Sequence, residues 1–109
     1  MMYVVETFTL KVDKVMSFPC PKLFQELIKK RPDLFKELKS WSVYQHSFGT
    51  FGEMIEFSEF DSFEDYQKWM AKIMPDKDFA PLLSAYFDSI VSGSYKMVLV
   101  DKLGSWTHK

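Results

Sequence analysis

Two residues, His46 and Glu53, carry the most suggestive chemistry in this 109-residue chain. Strand patterns over Trp41–Phe48 and Phe51–Phe60 flank Gly49-Thr50, and glycine at the first turn position suits a two-residue type II′ hairpin. That turn sets Phe48 opposite Phe51, and so His46 opposite Glu53 and Tyr44 opposite Ile55. A carboxylate bonded to one imidazole nitrogen orients the other as a base near neutral pH. The same pair serves equally well as a structural contact or an interface contact, and a register slip of one residue separates it.

Four aromatic residues, Tyr44, Tyr66, Trp69 and Tyr86, can supply flat apolar walls with polar tips for a small ligand. At helical spacing such residues also make plain core. Cys20 precedes Pro21 at a helix start, where backbone N–H groups favour a thiolate. With no second cysteine in the chain, an inert, partly buried thiol is the expectation. The two histidines, His46 and His108, are too far apart for a His-x-x-His motif. A metal would need the scattered set His46, Glu53 and Glu6, so no metal site and no tightly bound cofactor is expected. No nucleophile elbow, phosphate-cradling glycine loop or dinucleotide fingerprint is present.

The elements that must position these residues follow from periodicity. Tyr3–Val12 reads as a strand, with Val4, Phe8, Leu10 and Val12 on one parity and Tyr3, Val5, Thr7 and Thr9 on the other. Pro21 suits the first turn of a helix whose stripe is Leu23, Phe24, Leu27 and Ile28, and Pro32 ends it at Arg31. Asp33–Leu38 reads as a short extra turn. In the hairpin, one face carries Ser42, Tyr44, His46, Phe48, Phe51, Glu53, Ile55 and Phe57, and the other carries Trp41, Val43, Gln45, Gly52, Met54 and Glu56. Neither is a solvated polar face. Asp61 or Ser62 caps a second helix with Phe63, Tyr66, Met70 and Ile73 on one side, ending near Met74. A third helix opens at Asp78, with Phe79, Leu82, Leu83, Tyr86, Phe87 and Ile90 at helical spacing and Gly93 placed to close it. Ser94–Val100 is the fourth strand.

This order is the ferredoxin-like βαββαβ plan of an α+β protein, with an extra helix before the last strand and a four-stranded antiparallel sheet. Residues 1–103 read as one domain and residues 104–109 as a tail. Hydrophobic residues make up 47% of the chain, with eleven phenylalanines, which is generous for so small a core; a sheet apolar on both faces calls for a second copy of the chain to cover it. Fourteen basic residues against fifteen acidic ones leave a formal charge of −1, which argues against nucleic acid or an anionic membrane as partner. Gly49-Thr-Phe-Gly52 has only a superficial likeness to an RNA-recognition motif, since Glu53 stands where stacking aromatics should follow. One cysteine and no membrane-length apolar run suggest a cytoplasmic protein.

The hairpin Trp41–Phe60, with its Gly52-Glu53 and Phe57, runs into Ser62-Phe-Glu-Asp-Tyr66-Gln-Lys-Trp69, and Asp76-Lys-Asp-Phe79 precedes an aromatic-leucine helix. The chain resembles the dimeric α+β barrel superfamily in these segments, and its NIPSNAP-like branch in particular. The resemblance covers nearly the whole chain through mostly structural motifs. It implies two sheets packed face to face, helices outside, and often a pocket between sheet and helices. Families of this fold include cofactor-free monooxygenases, haem-degrading enzymes, small isomerases and ligand-sensing domains, so shared fold says little about function. The leading expectation is a homodimer binding a small, largely apolar ligand between sheet and helices. The alternative is a cofactor-independent monooxygenase or isomerase using His46 as base and Glu53 to orient it, with Tyr44 or Trp69 holding substrate.

Overall fold

A computed structural model of the chain describes residues 1–46 and 51–108. Its elements are β1 (Met2–Thr9), α1 (Cys20–Lys30), β2 (Ser40–Gln45), β3 (Glu53–Phe60), α2 (Phe63–Ile73), α3 (Ala80–Ser89) and β4 (Lys96–Asp101), with a short 3-10 turn over Pro32–Phe35. The strands form one antiparallel sheet in the order β2-β3-β1-β4. This is the expected ferredoxin-like α+β plan with its additional helix. Ser42 pairs with Phe57 and Tyr44 with Ile55, and the ladder continues as the His46 N–H donates to the Glu53 carbonyl at 3.1 Å. The register expected from the hairpin therefore holds, while the Gly49-Thr50 turn itself lies outside the described residues.

Several boundaries differ from the periodicity for local reasons. β1 stops at Thr9, because Leu10 bridges to Ile90 and donates its N–H to the Gly52 carbonyl at 2.9 Å. Gly52 has φ +80°, and a Cβ there would sit 3.2 Å from the Leu10 carbonyl oxygen, so glycine permits this close approach. Val12 then leaves the buried parity for solvent in a 3-10 turn over Val12–Lys14. α2 is capped by the Ser62 hydroxyl, which accepts from the Asp65 N–H. Its buried stripe is Trp69 and Ile73, with Phe63 at its first turn left exposed.

α3 begins later than expected. The Asp76 carboxylate accepts from the N–H groups of Asp78 (2.8 Å) and Phe79 (3.3 Å), so the chain turns before the helix starts at Ala80. Ile90 adopts extended geometry to meet Leu10, which ends α3 at Ser89 and leaves Gly93, with φ +82°, to the turn that follows. On the surface, Arg31 at the end of α1 bonds Asp33 (3.0 Å), Asp76 (3.2 Å) and Asp78 (2.7 Å), tying α1 to the entry of α3.

All three helices lie on one face of the sheet. β3 records this directly: Met54, Glu56, Ser58 and Phe60 are buried, while Glu53, Ile55, Phe57 and Glu59 are only half-buried. The covered face holds a core of Val4, Phe24, Leu27, Phe35, Phe60, Trp69 and Ile73, continued by Phe8, Leu10, Met54 and Ile90 near the start of the third helix's exit. The opposite face carries Tyr3, Val5, Tyr44, Ile55, Phe57, Val98 and Val100 without a helix over it, so apolar residues do populate both faces. Among the described residues no helix is long and apolar enough to cross a membrane.

Candidate functional site

Between sheet and helices lies a cavity of about 210 Å³. Its floor is strand: Val4 and Glu6 of β1, Glu56 and Ser58 of β3, Met97 of β4. Its walls come from Tyr66, Trp69 and Ile73 of α2 and from Leu82, Leu83 and Tyr86 of α3. Ser58 and Trp69 are buried, whereas Met74, Phe87, Tyr95 and Met97, which also border the cavity, are exposed. The mouth therefore opens between the helix pair and β4.

Two carboxyl groups sit in this apolar space. Glu6 and Glu56 are direct partners in the β1–β3 ladder and share the covered face, so strand geometry places their side chains about 5 Å apart at Cβ. Glu56 is only 6% exposed. Its Oε1 accepts from the Trp41 indole N–H at 2.6 Å and its Oε2 from the Tyr86 hydroxyl, while Tyr95 donates to Glu6. Trp41 is held for this by stacking on Phe24, with ring centroids 4.4 Å apart. All these donors are neutral, and no lysine, arginine or histidine lines the cavity among the described residues.

The electrostatic consequence is large. Burial pushes the Glu56 carboxyl up to about 8, the neighbouring Glu6 charge adds to the effect, and the Trp41 bond opposes it. Burial also raises Glu6, against the stabilising bond from Tyr95. The phenols of Tyr95 and Tyr66 are raised by burial, with the Glu6 bond adding at Tyr95 and the Glu6 charge adding at Tyr66. At neutral pH Glu56 is mostly protonated and can donate as well as accept. A buried carboxylic acid facing a second carboxyl is an arrangement suited to moving or sharing a proton.

Of the residues singled out from sequence, Tyr66, Trp69 and Tyr86 meet in this cavity and Tyr44 does not. Tyr44 is exposed on the open face, edge-on to Phe57 at 5.9 Å. His46 and Glu53 share that open face, with Nδ1 and Oε2 3.8 Å apart and side chains 37% and 35% exposed. The pair is thus close but beyond a normal hydrogen bond, and it faces away from the cavity. Cys20 is fully buried at 2% exposure, and burial, helped by the Glu56 charge, pushes its thiol up to about 12. The resulting thiol is inert, since the helix start on which it sits does not offset desolvation. Glu56 and Tyr95 were not among the expected site residues, and Glu6 entered only in the scattered set with His46 and Glu53, which stand on the opposite face of the sheet. The signal of the two inner acids was nonetheless present: Val4-x-Glu6-x-Phe8 and Met54-x-Glu56-x-Ser58-x-Phe60 put an acid within an otherwise buried parity.

No protein-family model matches the chain, and no curated protein matches it by sequence. Solved structures do. An uncharacterized NIPSNAP domain protein from Burkholderia xenovorans superposes with a TM-score of 0.73 at 12% identity, covering 99% of this chain and 100% of the other. The chain has the ferredoxin-like fold of the dimeric α+β barrels. A NIPSNAP family protein from Agrobacterium tumefaciens matches at 0.66 with 17% identity, over 92% of this chain and 91% of that one. SnoaB, a cofactor-independent oxygenase from Streptomyces nogalater, matches at 0.70 with 9% identity, over 98% and 97%. At such identities the likeness is one of fold, and the barrel fold itself accommodates binding proteins and enzymes alike.

Proposed function

We propose that this chain binds a small, largely apolar molecule in the sheet-to-helix cavity and works as a homodimer closed through the open sheet face. The carrying observation is the cavity of about 210 Å³, walled by Tyr66, Trp69 and Tyr86 and open at one side. Its size lies below the roughly 300–1,000 Å³ of sites for drug-sized ligands, which suits a compound with a single ring. The dimer rests on the uncovered Val5, Ile55, Phe57, Val98 and Val100, which a second sheet would remove from water.

A screen of single-ring compounds by ligand-observed NMR tests the binding reading, with Leu83→Trp as the control that fills the cavity. Binding abolished by that substitution supports the site; binding unchanged by it sinks the site. Sedimentation tests the dimer, and a clean monomer of 12.9 kDa overturns it.

An enzymatic reading is favoured by one specific observation: Glu56, a buried acid poised near neutrality beside a second carboxyl, is a general acid or base aimed at the ligand space. A cofactor-independent oxygenase or isomerase that used the cavity would draw on Glu56. One that used His46 and Glu53 would instead work on the open face, inside the dimer. Turnover lost in Glu56→Gln and kept in His46→Ala distinguishes the two.

A further inference from the structure

Trp69 of α2 borders the cavity and is only 8% exposed. Its indole N–H is buried and bonds no acceptor among the described residues. The rings packed around it, Phe35, Phe60 and Phe79, have centroids 5.3 to 6.4 Å away and offer π faces but no lone pair, a weaker substitute. Tyr66 stands three residues earlier on the same side of α2 and also borders the cavity. Its hydroxyl donates only to the Met97 sulfur, a poor acceptor, at 3.7 Å. The acceptors on the cavity floor, by contrast, are engaged: Glu56 accepts through both oxygens, from Trp41 and Tyr86, and Glu6 accepts from Tyr95. What the lining lacks is an acceptor, and the cavity is the space from which one can come.

We infer that the cavity selects an uncharged carbonyl compound with one apolar ring, its oxygen accepting from the Trp69 indole N–H and the Tyr66 hydroxyl while the ring lies among Ile73, Leu82 and Leu83. This rests on the cavity being a ligand site and names the class of ligand it takes. A carbonyl oxygen has two lone pairs and no proton, so it matches two under-used donors and adds none of its own. The Trp69 N–H is already out of water in the free protein. Its new bond therefore replaces no bond to solvent on the protein side, and only the carbonyl gives up hydration.

The same lining disfavours the other classes of single-ring ligand. A hydrocarbon fits the walls but leaves the indole N–H without a partner. A carboxylate could accept from Trp69, yet it would lie beside Glu6 and Glu56 in a cavity that no lysine, arginine or histidine lines among the described residues. An ammonium brings further donors to a lining whose unmatched groups are themselves donors.

Three probes of similar shape test this by NMR titration at neutral pH: acetophenone, ethylbenzene and benzoate. Acetophenone is expected to move the Trp69 indole N–H resonance downfield, as a new hydrogen bond does, whereas bound ethylbenzene leaves it without that shift. Benzoate should bind at least about tenfold more weakly than acetophenone. Trp69→Phe is expected to weaken acetophenone about tenfold and Tyr66→Phe about threefold, with ethylbenzene held within about twofold in both. Trp69→Phe also assigns the resonance among the three tryptophans; if it does not fold, Trp41→Phe and Trp106→Phe assign it by elimination, and the wild-type shift decides. Acetophenone that binds without moving the Trp69 signal overturns the carbonyl inference and leaves the cavity reading standing. Equal weakening of ketone and hydrocarbon in Trp69→Phe, or benzoate binding more tightly than acetophenone, overturns it as well. No binding of any probe to a folded wild-type protein removes the cavity reading and the inference together.

Discussion

Two cross-strand polar pairs stand on opposite faces of one sheet, and β3 contributes to both. Glu53 faces out beside His46, and Glu56, three residues along, faces in beside Glu6. Spacing alone makes the first pair look the more chemical, since an imidazole and a carboxylate are a familiar base and orienter. Burial reverses the ranking. The outer pair is about one-third exposed and 3.8 Å apart, whereas the inner acids are held by Trp41, Tyr86 and Tyr95 in an apolar cavity. Reactivity here follows the dielectric around a group more than the identity of its partner.

The largest effect that separates the two faces is a packing one. Phe60 is fully buried on the inner face, and Phe60→Ala is expected to cost about 3–5 kcal/mol, read as a fall in the denaturant midpoint. Phe57, on the outer face, should cost about 1 kcal/mol in the same assay on dilute protein. A larger loss at Phe57 that grows with protein concentration would mean that the outer face is covered by a second chain, since the free energy of a dimer depends on concentration.

Next in size is the response to pH. Glu56 has a higher pKa folded than unfolded, so the folded state holds the extra proton between its ordinary range near 4.5 and about 8. Its favourable contribution is complete below the unfolded value and is lost as pH rises through the folded one. Stability should therefore decline from pH 5 to pH 8.5 by on the order of a few kcal/mol, and Glu56→Gln should flatten that slope. Glu53→Gln should leave it in place. Thermal denaturation across this range checks both, and an unchanged slope in Glu56→Gln would show that the inner acids are hydrated.

Much of this arrangement was legible in the residues before any coordinates. The βαββαβ order, the pairing of Tyr44 with Ile55 and a helix cap at Asp61 or Ser62, which the structure gives to Ser62, follow from strand alternation, a tight turn and a helix-start signal, all local physics. Of the four aromatics Tyr44, Tyr66, Trp69 and Tyr86, the three on helices border the cavity because those helices pack on the sheet, and Tyr44 does not. What could not be read was which face the helices would cover. That choice depends on the packing of three helices against all four strands, and it decides whether His46 or Glu56 is the buried group. Within β1, attention to Val4, Phe8 and Leu10 hid the acid between them, although a charge on a buried parity is the informative exception.

A smaller effect probes how the inner acid is held. Trp41→Phe keeps the ring that stacks on Phe24 and removes the N–H that bonds Glu56 Oε1 at 2.6 Å. The lost bond should cost about 1–2 kcal/mol, within the range for a buried acceptor left short of a donor. Because this bond lowers the Glu56 pKa, its removal should move the titration to higher pH, visible by carboxyl carbon NMR. A titration unmoved by Trp41→Phe would assign the tuning to burial and the Glu6 charge alone.

The smallest expected effect belongs to the pair that looked most reactive. His46 and Glu53 are separated by more than a hydrogen bond and are partly solvated, so His46→Ala should change the stability of the dilute monomer by no more than about 0.5 kcal/mol. The same substitution becomes informative at high concentration. If a second sheet covers the outer face, water leaves the pair and its polar atoms must find partners across the interface. His46→Ala would then shift the dimerisation constant by a factor of about ten or more, as the loss of a desolvated polar contact does. A shift confined to dimerisation makes His46 a residue of the interface; a shift in neither measurement leaves it in solvent, and in both cases Glu56 remains the group in the cavity.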